Sequence, residues 1–328
     1  MSGSSSRRST GASDGFVSVA STSLDELVGL RSAAIALTRR RRRSLADLSG
    51  PAASPRLGRG LDFAQVREYQ PGDDVRMIDW NVTARMNKPH TKLFVEERER
   101  PVHLVIDARS SMRFATRGAF KSVIAARLAS LAGWSAVAAR DRVGGLVFCD
   151  DWHAEVRPDS GRRGLMGVFR AIVQAQRRAP SEAPMSLSRT LERLGSVARP
   201  GCSILLFSDF AGFDERAATL FGGRLASRQL SAVQVLDPLD RQLPVGGHAL
   251  GVVARSSRTG LPVRGPIGAP GQRRRYRARF LAEQQRLDEA LLRGRHRRIE
   301  IDTASELMDS ARTLLHGARG LRATTAPA

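Results

Sequence analysis

The chain predicts an α/β fold built on a doubly wound, mostly parallel sheet, and three observations carry that reading. Apolar runs free of charge recur at Val102 to Ile106, Val143 to Phe148, Ser203 to Phe207 and Ala232 to Leu236, the composition of strands buried on both faces. The segments between them repeat their apolar residues at helical spacing. Two of the runs then lead into an aspartate, Asp107 and Asp209, at the strand ends where an open sheet binds its ligands.

The elements follow in order. Residues 1–18 are Ser, Gly and Arg with few apolar anchors, so disorder is expected. Residues 19–100 hold a short amphipathic helix marked by Leu24, Leu27, Val28 and Ile35, a Gly50 to Gly60 loop, and a compact polar segment from Leu61 to Arg100. The core is expected over 101–245. After the first strand, Phe120, Ile124, Leu128, Leu131 and Ala138 fall on one face of a long helix. Ala154 to Arg157 reads as an edge strand beside Val143 to Phe148, and Leu165 to Ala175, Leu187 to Leu194 and Glu215 to Ser227 read as helices. Residues 246–272 form a Gly/Pro-rich rim insertion with Thr259-Gly260 at the turn of a hairpin. Residues 273–317 complete the core with a helix from Tyr276 to Leu292 and a strand from Arg298 to Ile301. A capping box, Thr303-Ala304-Ser305-Glu306, opens the last helix. Residues 318–328 read as a flexible tail.

Composition narrows the function classes. The 328 residues are 41% hydrophobic and 5% aromatic, enough for a sizeable aliphatic core. The formal net charge of +21 makes nucleic acid, an acidic membrane surface or an acidic protein natural partners. Much of the excess is Arg in clusters such as Arg39 to Arg43 and Arg273 to Arg275, and no interleaved aromatics favour base stacking there. Cys149 and Cys202 lie in apolar runs and read as buried reduced thiols. With no signal-like start and no uninterrupted apolar helix, a cytoplasmic address is expected.

The candidate chemistry lies at the strand ends. If the strands leading to Asp107 and Asp209 are neighbours, both carboxylates face one crevice, and Ser111 adds a hydroxyl. Such oxygens suit Mg2+ or Mn2+. The plainer alternative is that each Asp caps the turn after its strand. Arg109 stands between Asp107 and Ser111, and its permanent charge and fixed donors can grip a carboxylate.

Residues 58 to 85 resemble a known family. Gly58-Arg59-Gly60-Leu61-Asp62-Phe63, then Val66-Arg67-Glu68-Tyr69-Gln70-Pro71-Gly72-Asp73-Asp74-Val75-Arg76-Met77-Ile78-Asp79-Trp80, then Thr83-Ala84-Arg85 resembles the signature of the domain of unknown function 58 family. The likeness continues through Lys92 to Arg100, Lys121, Asp141-Arg142-Val143-Gly144, Ser208-Asp209-Phe210 and Asp237-Pro238-Leu239, covering about residues 56–245.

The resemblance implies a von Willebrand factor A-type domain. Its metal-ion-dependent adhesion site would use Asp-x-Ser-x-Ser, a Thr and a second Asp. By position, Asp107 and Ser111 match the first motif and Asp209 the second Asp. Arg109 replaces a Ser, and Pro184-Met185-Ser186-Leu187 offers Met185 and Ser186 where the Thr is expected. Two readings stay open: Arg109 acts as a built-in cation, or a weakened Mg2+ or Mn2+ site survives through waters. The resemblance also implies a MoxR-type AAA+ ATPase as partner, in assembly or maturation of a client protein.

The signature segment has its own reading. Arg67, Asp73, Asp74, Arg76, Asp79 and Arg85, with Tyr69 among them, suit a structural ion-pair network anchored by Trp80, with Pro71-Gly72 in a tight turn. Phosphate-binding loops, dinucleotide fingerprints, nucleophile elbows and His-Glu-x-x-His are absent from the sequence. An aspartyl-phosphate mechanism would want an acid where Arg109 stands. The expectation is a non-enzymatic adaptor whose rim of Asp107, Arg109, Ser111, Ser186 and Asp209 binds a partner. The alternatives are polyanion binding through the Arg-rich N-terminal region, and a metal-dependent hydrolase.

Overall fold

The computed structural model describes residues 18–48, 62–70, 73–95, 101–181, 184–243, 254–255, 262–263 and 270–317. The basic start, the Gly50 to Gly60 loop, Pro71-Gly72, Thr259-Gly260 and the 318–328 tail lie outside the described residues.

Two helices open the chain, α1 (Leu24–Gly29) and α2 (Arg31–Leu48). The sequence suggested one short helix, but α2 continues through the five-Arg run, because arginine is a good helix former. A small module follows: β1 (Asp62–Glu68), α3 (Trp80–Met86) and β2 (His90–Val95), with β1 and β2 antiparallel.

The core runs β3 (Val102–Asp107), α4 (Lys121–Ala138), β4 (Val143–Phe148), β5 (His153–Asp159), α5 (Arg163–Arg177), α6 (Leu187–Val197), β6 (Ser203–Ser208), α7 (Glu215–Gly222) and β7 (Gln229–Leu236). A short α8 (Pro238–Arg241), a two-residue pair β8 (Ala254–Arg255) and β9 (Pro262–Val263), α9 (Pro270–Arg293), β10 (Arg297–Asp302) and α10 (Leu307–Gly317) complete it. The six-stranded sheet has the order β10-β7-β6-β3-β4-β5, parallel except for the β4–β5 edge pair. The earliest core strand, β3, therefore lies mid-sheet, with later strands added outward on both sides. The doubly wound expectation holds.

Two cores cover the sheet. One packs α4, α5, α1 and α10 on one face, and the other packs α6, α7 and α9 on the opposite face. Helix α4 is buried almost all round, because the sheet lies beneath it and other helices flank it. The one-faced pattern expected for it was too narrow, and Ala138, assigned to that face, is exposed.

Several boundaries differ from expectation, three helix ends among them. Helix α7 stops at Gly222, well before Ser227, where Gly223 N–H closes the helix on Thr219 O. Helix α9 begins at Pro270, earlier than Tyr276. Thr303 does not cap α10: its hydroxyl donates to Asp237 Oδ2 at 2.8 Å and the helix begins at Leu307.

Candidate functional site at the strand ends

Strands β3 and β6 are hydrogen-bonded neighbours, with Ile106 opposite Phe207. The connection from β3 to β4 crosses one face through α4, and that from β6 to β7 crosses the other through α7. Asp107 and Asp209 thus flank the switch point, where diverging crossovers open a crevice.

Asp107 is fully buried and saturated. Its Oδ1 accepts from the Arg109 backbone N–H and from Arg109 Nε, both at 3.0 Å. Its Oδ2 accepts from Arg109 Nη2 and from Ser208 Oγ, both at 2.7 Å. Arg109 is itself 6% exposed. Its Nη2 also donates to Ala211 O at 3.2 Å, its Nη1 reaches Met185 O at 3.5 Å, and its guanidinium lies 5.6 Å from the centre of the Phe148 ring. One side chain so ties the end of β3 to the loops before α6 and after β6. Burial opposes the Arg109 charge, but Asp107, then Asp209 and Asp150, outweigh it and hold the group firmly protonated.

A second fixed cation completes the arrangement. Lys121, the first residue of α4, is 3% exposed, and its Nζ donates to Asp209 Oδ2 at 2.8 Å and Asp240 Oδ2 at 3.1 Å. Asp209 Oδ1 accepts from Ser111 Oγ at 3.2 Å and Ala211 N–H at 3.0 Å. Burial opposes ionisation of both partners, yet the pair overrides it, raising Lys121 and lowering Asp209. At Asp240 burial wins over Lys121, and its carboxyl is raised. Asp209, at 2.8 Å against 3.1 Å, is the closer counterion of the two.

Further carboxylates fix the surrounding loops. Asp150 accepts from Ser110 N–H at 3.0 Å, Ser110 Oγ and Ser181 N–H at 3.1 Å, while its carbonyl accepts from Met185 N–H at 2.7 Å. Asp237 accepts from Thr116 N–H and Thr116 Oγ1, both at 2.7 Å, and from Thr303 Oγ1. In the same loop Gly118 has φ +73°, and a Cβ there would lie 2.4 Å from Thr303 O.

The structure thus brings together Asp107, Arg109, Ser111 and Asp209. Ser186 is exposed at the head of α6, where its Oγ caps Arg189 N–H at 3.3 Å. Lys121 was not singled out as a site residue, although one signal was legible. A lysine in the first turn of an apolar helix opposes the helix dipole and needs an acid nearby. Among the described residues no cluster of three His, Cys, Asp or Glu is arranged to hold a metal, and a divalent ion here would have to displace both Arg109 and Lys121.

The signature module shows part of the expected network but not its expected anchor. Arg67 does pair with Asp73 at 2.6 Å, and Tyr69 N–H donates to Pro89 O at 2.8 Å. Asp74 and Asp79 cap the turns after them, Asp74 accepting from Arg76 N–H and Asp79 from Asn81 and Val82 N–H. Arg85 sits in the last turn of α3. Trp80 is no apolar anchor: it is 67% exposed, and Val75, Met77 and Met86 beside it are exposed too.

No helix among the described residues is long and apolar enough to cross a membrane. An uncharacterized protein of Mycobacterium tuberculosis is 30% identical over 193 residues, a match spanning 59% of this chain and 60% of that protein. A von Willebrand factor type A structure from Catenulispora acidiphila overlays 70% of this chain and 44% of its own at 14% identity and TM-score 0.34. An aerotolerance-related membrane protein from Bacteroides fragilis overlays 67% of this chain and 99% of its own at 12% identity and TM-score 0.43. The family model described as "Protein of unknown function DUF58" matches residues 65–286, and with well over half of the chain inside that match, the protein belongs to this family.

Proposed function

We propose that this chain is a non-enzymatic interaction module that works without a resident metal, its strand-end rim meeting an acidic residue of a partner. One observation carries the reading: every carboxylate oxygen of Asp107 and Asp209 already accepts from a fixed donor, and two of the donors are full cations. Arg109 and Lys121 supply the positive charge that Mg2+ or Mn2+ would bring. No carboxylate of this pair is left to act as base or nucleophile, which disfavours a hydrolase.

Arg109 Nη1 has only the long Met185 contact, and the nearly buried guanidinium lends the rim positive charge that favours a partner carboxylate. Phe114 and Arg117 are exposed in the loop between β3 and α4, with the Phe114 ring 6.0 Å from Lys121 Nζ. The exposed Trp80, Val75 and Met86 of the signature module add apolar surface suited to protein binding. The partner is a MoxR-type AAA+ ATPase, and the module acts with it on a client protein. A cytoplasmic setting goes with this reading, in keeping with the buried free thiols of Cys149 and Cys202.

The test is co-expression of the tagged chain with that ATPase. Retention with or without nucleotide, weakened by the rim variant Phe114→Ala/Arg117→Glu, is expected. Failure to retain the ATPase in either state overturns the adaptor role, and full retention by the rim variant removes the rim from it.

A further inference from the structure

We propose that the groove between edge strand β5 and helix α6 is a docking channel for an extended acidic peptide of a partner protein. The channel encloses about 460 Å³ and is walled by His153 and Glu155 on one side and by Arg189, Glu192 and Arg193 on the other. Strand alternation explains its position. Ala154 and Val156 pack into the core on the α5 side, so His153 and Glu155 face α6. Among the described residues no further strand pairs with the outer edge of β5.

The charges define the occupant. Arg193 pairs with Glu155, and Glu192 pairs with Arg216 at 2.5 Å, so the acids of the groove are already matched. Arg189 and Arg224 also line it, both are exposed, and neither makes an ion pair among the described residues. Two unmatched guanidiniums favour carboxylates. Met185 and Val197 supply apolar contact at opposite ends. Helix α6 from Leu187 to Val197 is about 15 Å long at the α-helical rise, which fits roughly four or five extended residues. A peptide of alternating acidic and apolar residues meets both features at once.

The groove is also continuous with the crevice at the strand ends. Met185 lines the channel and its carbonyl receives Arg109 Nη1. The proposal therefore rests on the rim being an interaction surface and names what the partner presents to it.

The experiment uses the full chain and fluorescence anisotropy with a labelled seven-residue peptide of alternating Glu and Leu. Binding is expected to weaken at least about tenfold in Arg189→Glu/Arg224→Glu. It should change less than about twofold in Arg274→Glu/Arg277→Glu, which alters net charge equally on the exposed part of α9. Circular dichroism checks that both variants fold. The proposal is overturned by no binding to wild type, by equal weakening in the α9 variant, or by equally potent competition from an oligothymidylate of the same charge. It is equally overturned if the groove variant dissociates a wild-type dimer in sedimentation, which assigns the groove to a second copy. Loss of peptide binding with ATPase retention intact leaves the adaptor role standing, and peptide binding without ATPase retention leaves the groove standing.

Discussion

Lys121 Nζ lies 2.8 Å from Asp209 Oδ2, so the start of α4 is bonded to the loop beyond β6 across the switch point of the sheet. Both side chains are 4% exposed, which places the pair among the buried ion pairs whose net worth is small but whose rupture is costly.

Removing one partner should therefore unfold more than the pair itself contributes. Lys121→Met is expected to cost about 3–5 kcal/mol in urea unfolding, since it strands the Asp209 charge. Lys121→Met/Asp209→Asn should recover much of that loss. An additive double variant would show that the two groups are not coupled.

Metal ions should leave the wild type unmoved. At millimolar Mg2+ or Mn2+, thermal unfolding is expected to shift no more than in Ca2+ or in salt of equal ionic strength, in wild type and Asp107→Ala alike. Arg109→Ser/Lys121→Ala vacates both cations and should gain a Mn2+-dependent rise through ligand linkage. A large metal-specific rise in wild type that Asp107→Ala abolishes would sink the built-in-cation reading.

Acid should weaken the fold through His103. This side chain is 2% exposed on β3, Nδ1 has no hydrogen-bond partner among the described residues, and burial, helped by Arg228, lowers its pKa to about 4. Its folded value lies below the ordinary 6.5, so between those pH values the unfolded chain binds the extra proton and stability falls as pH falls. The loss is on the order of 3 kcal/mol. His296, also lowered by burial, adds a slope of the same sign. His103→Leu should flatten the pH 6.5 to 4 limb, and an unchanged slope would remove His103 from it.

The Lys121–Asp209 pair responds outside that window. Asp209 is lowered, so its contribution is present above about pH 4 and lost as pH falls through its folded value. Lys121 is raised, so its contribution is full below pH 10.5 and is lost only as pH rises through its folded value. Urea titrations of Lys121→Met should lose the alkaline limb seen in wild type.

The N-terminal helices should prove integral to the core. Trp134 Nε1 and Ser130 Oγ both donate to Leu27 O, Arg127 pairs with Glu26 at 2.6 Å, and Leu27 and Ala34 are fully buried. Trp134→Ala is expected to cost about 3–5 kcal/mol, and removal of residues 1–45 should lower the melting temperature. Polyanion binding by Arg39 to Arg43 is therefore better tested by Arg-to-Gln substitution than by deletion. Loss of nucleic-acid retention in that variant, together with loss of ATPase retention, would move the function to the basic run.

Much of the fold was legible because strands buried on both faces leave unbroken apolar runs. Val102 to Ile106 and Val143 to Phe148 needed no more than that. Trp80 shows where the reading fails: sequence marks it as apolar, but only its packing says whether anything covers it. Helix ends failed for a related reason. Thr303 looked like a cap, and its hydroxyl was taken instead by Asp237, distant in sequence.

What the sequence determined by itself was the alternation of strand and helix, the family signature, and an aspartate at each of two strand ends. These are local facts, set by side-chain periodicity and by residues close along the chain. Only the tertiary structure decided what those aspartates hold. Arg109 turns back on Asp107, and Lys121 reaches Asp209 from a different element, because low dielectric within the crevice makes an unpaired buried charge too costly to leave.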